Sequence, residues 1–343
     1  MKQAIFWFDL DNSPHVPLFK PVIRELHNRE MKYIITSRKF AQTEELLKLW
    51  QIPHQLIGSH AGKNKINKVI NLFTRSSQLK KKLSGQKNLL AVSHGSRTQI
   101  IAAWRLGIKS ILMLDYEYTE SKIFNYLSSS LLIPKYIPDH RLKSVGINLR
   151  KVIRYDGFKE ELYLKDFIPA ADFRDSINIS QDEILTVVRP PSMTTNYHDA
   201  RSENLLIGAI NYFSKEKNNI VLIVNRTDSE KRFILSKVAS SPNIRFLEKA
   251  VDGLQLLFAA DISISGGGTM NREAALLGTQ AYSIFTGRRP YLDEYLQELG
   301  KLKFIESVND LNKIPVQSIH KTAPKFDNDL VNEITNIIVN YRS

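Results

Sequence analysis

Short apolar runs alternate with amphipathic stretches along the whole chain. In the first half, "AIFWFDL", "KYIITSR", "HQLIG", "NLLAVSHGS" and "KSILMLDYE" read as strands. Between them, "VPLFKPVIRELHNR" places Val16, Phe19, Val22, Ile23 and Leu26 at helical spacing. "AQTEELLKLWQI", a basic stretch over residues 62–83, and "TQIIAAWRLG" also read as helices, the last with Gly107 as its cap. The second half repeats the alternation. "ILTVVRPP", "NIVLIVNR", "IRFLE", "DISISGGG" and "TQAYSIF" are its strands, with "KFIES" at the edge. "SENLLIGAINYFSKE", "SEKRFILSKVA", "DGLQLLFAA", "TMNREAALLG" and "RRPYLDEYLQELG" are its helices, and "NDLVNEITNIIVNYR" closes the chain. Strands separated by helices of this length predict βαβ units and parallel sheets. The expected fold is α/β, with two Rossmann-like domains facing across a cleft. The first domain is expected over residues 1–160 and the second over 161–343, with the last helix able to pack back on the first. Residues 136–164, of mixed polarity and containing Pro138, Gly146 and Gly157, read as the connection.

Composition narrows the function classes. The chain has 343 residues, 43% of them apolar, and no cysteine. That excludes disulfides, zinc–thiolate sites and cysteine catalysis. The apolar run Ala4–Phe8 is too short for a signal peptide, since Asp9 and Asp11 follow at once. No stretch reaches the ~18–20 apolar residues of a membrane span. A cytoplasmic protein is therefore expected.

The charge is uneven. Residues 1–150 hold 24 Lys+Arg and 10 Asp+Glu, whereas residues 151–343 hold 24 and 25. The whole net charge of +13 thus comes from the first half, which suggests an anionic partner for that half. Residues 62–83 carry no acidic side chain and interleave Ile66, Val69, Ile70, Leu72, Phe73 and Leu79 with cations. Such a helix suits peripheral attachment to an anionic membrane; the plainer alternative is a solvated helix with one face on the core. No nucleic-acid-binding signature accompanies it, so nucleic acid is not expected.

In doubly wound folds, ligands bind beyond the carboxyl ends of the strands. Five strand-end loops carry candidate chemistry. "DLDNSPHVP" brings Asn12, Ser13 and His15 to a proline-stiffened helix start, with Ser13 a possible N-cap and His15 a possible general base. "SHGSRTQ" brings His94 and Ser96 to a second helix start able to receive an anion. "LDYEYTES" groups Asp115, Glu117 and Glu120 with Tyr116 and Tyr118, suited to acid/base work or sugar hydroxyls rather than to a metal. "VVRPPSMTTNYHD" offers Arg189 to a diphosphate, with Ser192, Thr194, Thr195 and His198 as further donors. "TGRRPYLDE" sets Arg288 and Arg289 at a helix start, where cations oppose the macrodipole unless an anion joins them.

"SISGGGTMNREAALLGT", residues 263–279, is the most informative stretch. Gly266, Gly267 and Gly268 lack the third glycine of a dinucleotide fingerprint and the lysine of a P-loop. What remains is a glycine turn whose backbone N–H groups can approach a diphosphate. Thr269 and Glu273, four residues apart, share a helical face, and the Glu273 carboxylate can accept from a ribose diol.

A glycine turn with Thr and Glu on the following helix, in the second of two α/β halves, resembles GT-B sugar-nucleotide enzymes. These include the peptidoglycan N-acetylglucosaminyl transferase and the UDP-N-acetylglucosamine 2-epimerases. "DLDNSPHVPLFKPVIREL", "FAQTEELL", "SHGS", "VVRPP" and "GGGTMNREAALLGT" together resemble the prokaryotic family called domain of unknown function 354, over nearly the whole chain. The resemblance implies that Gly267, Gly268, Thr269 and Glu273 hold the nucleotide diphosphate and ribose, with Arg189 beside the diphosphate. It implies a base or acceptor contact from His15, and places Asp115, Glu117 and His94 near the sugar. The His-Arg and Glu-Asn pattern of the epimerases is absent; "RPPSMTTNYH" stands in its place. The resulting expectation is a metal-independent, cofactor-free glycosyltransferase. It would move a sugar from a nucleotide diphosphate, UDP above all, to a lipid-linked or surface-glycan acceptor. The alternatives are an epimerase-like enzyme and a non-catalytic nucleotide-sugar-binding scaffold.

Overall fold

The computed structural model describes residues 4–40, 42–59, 65–119, 121–191 and 200–341. The first unit comprises residues 1–163 and 326–343, the second residues 164–325.

In the first unit the chain runs β1 (Ile5–Leu10), α1 (His15–Asn28), β2 (Lys32–Lys39), α2 (Thr43–Leu49), β3 (Gln55–Ser59), α3 (Lys65–Leu83), β4 (Leu89–His94), α4 (Arg97–Leu106), β5 (Lys109–Met113), α5 (Ser121–Leu127), β6 (Ser130–Pro134), α6 (Asp139–Ser144) and β7 (Val152–Tyr155). The sheet order is β3-β2-β1-β4-β5-β6-β7, with every pairing parallel. Chain order reverses between β1 and β4, which makes that junction the switch point of the sheet. Phe6, Phe8 and Leu10 of β1 enter one core with α1, while Trp7 enters another with Leu79, Leu83, Ala102 and Ala103. Strands covered on both faces explain the continuous apolar runs.

The division between the units falls after Tyr163, inside residues 136–164, but those residues are more than a connection. They contain β7, which pairs with β6 and completes the sheet. Its sequence, Val152–Tyr155, is short and includes Arg154, so neither a long apolar run nor clean alternation marks it.

The short helix α7 (Glu161–Leu164) lies at the division. The second unit then runs α8 (Phe173–Ser176), β8 (Ile184–Arg189), α9 (Ala200–Phe213), β9 (Asn219–Ile223), α10 (Asp228–Leu235), β10 (Ile244–Phe246), α11 (Gly253–Ala259), β11 (Ile262–Ser265), α12 (Thr269–Leu276), β12 (Gln280–Ser283), α13 (Tyr291–Glu298) and β13 (Leu302–Phe304). Its sheet order is β10-β9-β8-β11-β12-β13, again parallel throughout. The switch point here lies between β8 and β11. The closing helix α14 (Leu330–Val339) belongs to the first unit, where Leu330, Ile334 and Ile338 join the core of α1. Among the described residues, no helix is long and apolar enough to cross a membrane.

Candidate functional site

At the switch point of the first sheet, a cavity of about 430 Å3 opens beyond the carboxyl ends of β1 and β4. Asp11, Asn12, His15, Arg38, His94 and Arg97 are among the residues that line it. Three of the residues expected from sequence, Asn12, His15 and His94, therefore come together.

His94 ends β4, and its Nε2 lies 2.8 Å from Asp115 Oδ1. The other Asp115 oxygen accepts from Lys159 Nζ, which also lies 3.7 Å from Glu160 Oε1. Burial, aided by the nearby Lys159 charge, lowers the pKa of His94 despite the Asp115 carboxylate. The imidazole is thus neutral at neutral pH. A neutral ring bonded to a carboxylate through Nε2 carries its proton there, which leaves Nδ1 as an acceptor. That is the arrangement of an oriented general base.

His15, the first residue of α1, packs edge-on against His94, with ring centroids 5.3 Å apart. Its Nδ1 lies 3.1 Å from Asp11 Oδ1. Burial alone would raise the pKa of Asp11. The hydrogen bond and charge of His15, joined by Arg38 and Arg75, outweigh burial and hold it at about 2. Arg38 Nε also donates to the Asp11 carbonyl at 2.7 Å.

The remaining expected residues of this unit occupy other places. Ser13 is not the N-cap of α1: Pro14 takes that position, and Ser13 Oγ accepts from the Gln42 amide at 3.1 Å instead. Ser96 does cap α4, accepting from Gln99 N, while its hydroxyl donates to Asp9 at 2.6 Å. It is fully buried beneath the cavity. Glu117 is buried and outside the cavity lining, and Tyr118 Oη accepts from Arg141 at 2.6 Å. Glu120 lies outside the described residues.

In the second unit, Arg189 ends β8 and pairs in register with Ser265 at the end of β11. Both stand at that sheet's switch point. The Gly266 amide donates to the Arg189 carbonyl at 3.2 Å. A Cβ on Gly266 would lie 2.4 Å from Pro191 Cα, so only glycine fits that close approach. Gly268 precedes α12 with φ 85° and ψ −158°, a conformation essentially reserved for glycine. Thr269 opens the helix, and Glu273 lies one turn on, half-buried. Arg189 donates from Nη1 to the Val224 carbonyl at 2.8 Å; burial and the neighbouring Arg226 lower its pKa to about 10. Arg288 is exposed in the loop after β12, whereas Arg289 pairs with Glu306 and stacks on Phe304 at 4.2 Å. Arg289 at that helix start therefore already has an anionic partner within the fold. Ser192, Thr194, Thr195 and His198 lie outside the described residues.

Several groups escape a sequence reading. Asp11 and Arg97 lie within the singled-out loops but are not picked out there as site residues, Arg38 comes from β2 outside them, and only packing turns all three toward one cavity. Lys159 comes from the segment read as a connection and carries no motif. Asn271, in the first turn of α12, is fully buried, and neither polar atom of its side chain has a hydrogen-bond partner among the described residues. Among the described residues, no group of three His, Asp or Glu side chains is arranged to hold a metal.

Comparison with known proteins places this architecture. The chain is 25% identical over 312 residues to Uncharacterized protein MJ0665 of Methanocaldococcus jannaschii, with 89% of each chain covered. Its fold is similar to that of the UDP-GlcNAc 2-epimerase of the same organism, solved with UDP-GlcNAc and UDP: TM-score 0.76, 14% identity, 98% of this chain and 100% of that one covered. It is also similar to Alr3699/HepE of Anabaena, solved with UDP and glucose: TM-score 0.57, 12% identity, 82% and 80% covered. Both likenesses are of fold. With the family model matched over residues 4–342, the chain belongs to the family described as Protein of unknown function (DUF354).

Proposed function

We propose that this protein is a GT-B glycosyltransferase that moves a sugar from a nucleotide diphosphate, UDP above all, to a lipid-linked or surface-glycan acceptor. The observation that carries the reading is the neutral, Asp115-oriented imidazole of His94 lining a polar cavity at a sheet switch point. The first unit supplies the base and the acceptor side, with Asn12 and His15 on the cavity wall. Asp115 acts as a positioning residue, since His94 and Lys159 occupy its two oxygens. The second unit seats the donor: the amides of Gly267 and Gly268 and the Arg189 guanidinium take the diphosphate, Thr269 and Glu273 the ribose, and Arg288 the rim.

The step balances simply. The acceptor hydroxyl gives its proton to His94 Nδ1 as its oxygen bonds to the anomeric carbon. The bond from that carbon to the diphosphate breaks, and Arg189 with the turn amides stabilises the leaving charge. Nothing in this step calls for a metal. The enzyme would act in the cytoplasm, at the inner face of the membrane that carries its acceptor.

A second reading, epimerisation of the same donor, is favoured by the fold similarity to UDP-GlcNAc 2-epimerase, with a TM-score of 0.76. Incubation with a panel of nucleotide sugars, with and without membrane extract, separates the two. Release of UDP only with extract supports transfer, and an altered sugar without extract supports epimerisation. Binding without turnover in either case leaves a scaffold, and no binding at all overturns every version. Glu273→Ala is expected to abolish nucleotide binding with the fold intact; unchanged affinity would remove Glu273 from the ribose seat.

A further inference from the structure

We propose that the exposed face of α3 docks the protein onto an anionic lipid bilayer, beside the cavity of the first unit. The proposal deepens the transferase reading and rests on it for a membrane-borne acceptor. The helix buries one face and leaves apolar residues of another side in water. Arg75, Ser76, Leu79 and Leu83 are buried against the sheet side. Asn71 and Leu72 line the cavity. Val69, Ile70 and Phe73 stand in water, at 55%, 58% and 57% exposure. Burying one face and exposing a second apolar one is costly unless something covers the latter.

The exposed strip continues along the helix into cations. Phe73, Thr74, Ser77, Gln78 and Lys81 border one shallow surface groove. Gln78 and Lys81 also border the next one, with Leu56 and Lys82, and Leu56 is itself exposed. Arg105 Nη1 donates to Ser77 Oγ at 2.8 Å, bringing a further cation to the strip, and the adjacent Trp104 is exposed. Residues 46–114 contain twelve Lys and Arg and no Asp or Glu, so no carboxylate of this segment opposes an anionic partner.

Charge complementarity and apolar exposure together choose the occupant. Aliphatic Val69 and Ile70 gain nothing against a polynucleotide backbone but enter the acyl boundary of a bilayer, while Lys80, Lys81 and Lys82 meet its headgroups. Because Asn71 and Leu72 sit on the same helix, a bilayer resting on α3 lies next to the cavity rim.

Flotation of the full chain with vesicles tests this, using phosphatidylcholine alone and phosphatidylcholine mixed with phosphatidylglycerol. Binding is expected only to the mixed vesicles and should weaken with salt. The double variant Ile70→Asn/Phe73→Ser should lose it. The triple variant Lys80→Ser/Lys81→Ser/Lys82→Ser should weaken it on the order of a hundredfold. Circular dichroism and UDP affinity in solution are measured for each and should match the parent. Failure to float with mixed vesicles overturns the proposal. So does binding that needs the lysines but not Ile70 and Phe73, particularly if duplex DNA competes. Loss of UDP binding in the parent, with flotation intact, would sink the transferase reading and leave the docking face standing.

Discussion

Asp9 and Arg75 face each other as an ion pair with no solvent exposure on either side chain. Arg75 reaches from α3 to the end of β1, placing Nη2 2.7 Å from Asp9 Oδ1 and Nη1 2.8 Å from Oδ2. Its Nε donates to the Ile57 carbonyl at 2.9 Å, and Nη1 also bonds Thr98. Asp9 further accepts from Thr36 and Ser96, each at 2.6 Å. One carboxylate thus ties β1, β2, α3 and the start of α4 together beneath the cavity.

Breaking that pair from one side is expected to be severe. Arg75→Met leaves the Asp9 carboxylate buried without its counter-ion and should cost about 3–5 kcal/mol. Replacing Asp9 as well, in Asp9→Leu/Arg75→Met, should recover part of the loss. Urea unfolding of the two variants measures both; a double variant no better than the single would show that the hydrogen bonds of Asp9, not its charge, dominate.

Turnover should depend on pH through His94. His94→Gln is expected to lower kcat on the order of 10²–10⁴-fold with donor affinity retained. Asp115 raises the pKa of His94 against the lowering effects of burial and Lys159. Asp115→Asn should therefore lower kcat and shift the acid limb of the pH–rate profile to lower pH. A profile that keeps its position would remove Asp115 from the role of orienting His94.

Acid should destabilise the first unit in two stages. His94 has a folded pKa below its ordinary 6.5, so its contribution is complete above that value and is lost as pH falls through the lowered one. Asp11, lowered from 3.8 to about 2, adds stability above 3.8 that disappears as pH falls toward 2. Unfolding measured from pH 7 downward should show the first loss in the parent and its absence in His94→Gln.

Asn271, in the first turn of the helix proposed to seat the nucleotide, is expected to link stability to ligand binding. Its buried amide lacks partners among the described residues, and an unsatisfied buried polar group costs about 1–3 kcal/mol. Asn271→Leu is expected to leave the melting temperature equal or higher, while UDP affinity falls. Reduced stability with unchanged affinity would show that the amide serves the fold instead.

Much of the fold was legible because apolar periodicity reports burial. Phe6 and Phe8 against Trp7 in β1 show why a strand covered on both faces reads as one apolar run. The Gly107 cap reads just as directly, since it ends α4 in the left-handed region at φ 66°. Ser13 and Ser96 sit in similar strand-to-helix loops, yet only Ser96 caps its helix. Pro14 displaces Ser13 from the cap position, and the start of α2 captures its hydroxyl. Such a choice depends on a neighbour 29 residues away, which local spacing does not encode.

The candidate site divides in the same way. Sequence alone determined the α/β alternation, the glycine turn before α12, the basic first half, and the loops holding Asn12, His15 and His94. These follow from local rules: periodicity, backbone freedom and charge count. Tertiary structure decided that β1 and β4 are neighbours at a reversal of strand order, so that loops some eighty residues apart line one cavity. It also brought Lys159 to Asp115 and buried Arg75 on Asp9, while leaving Phe73 in water on the same helix. Burial and the partner across the fold set the protonation state of His94 and the exposure of α3, and both are properties of the packed chain.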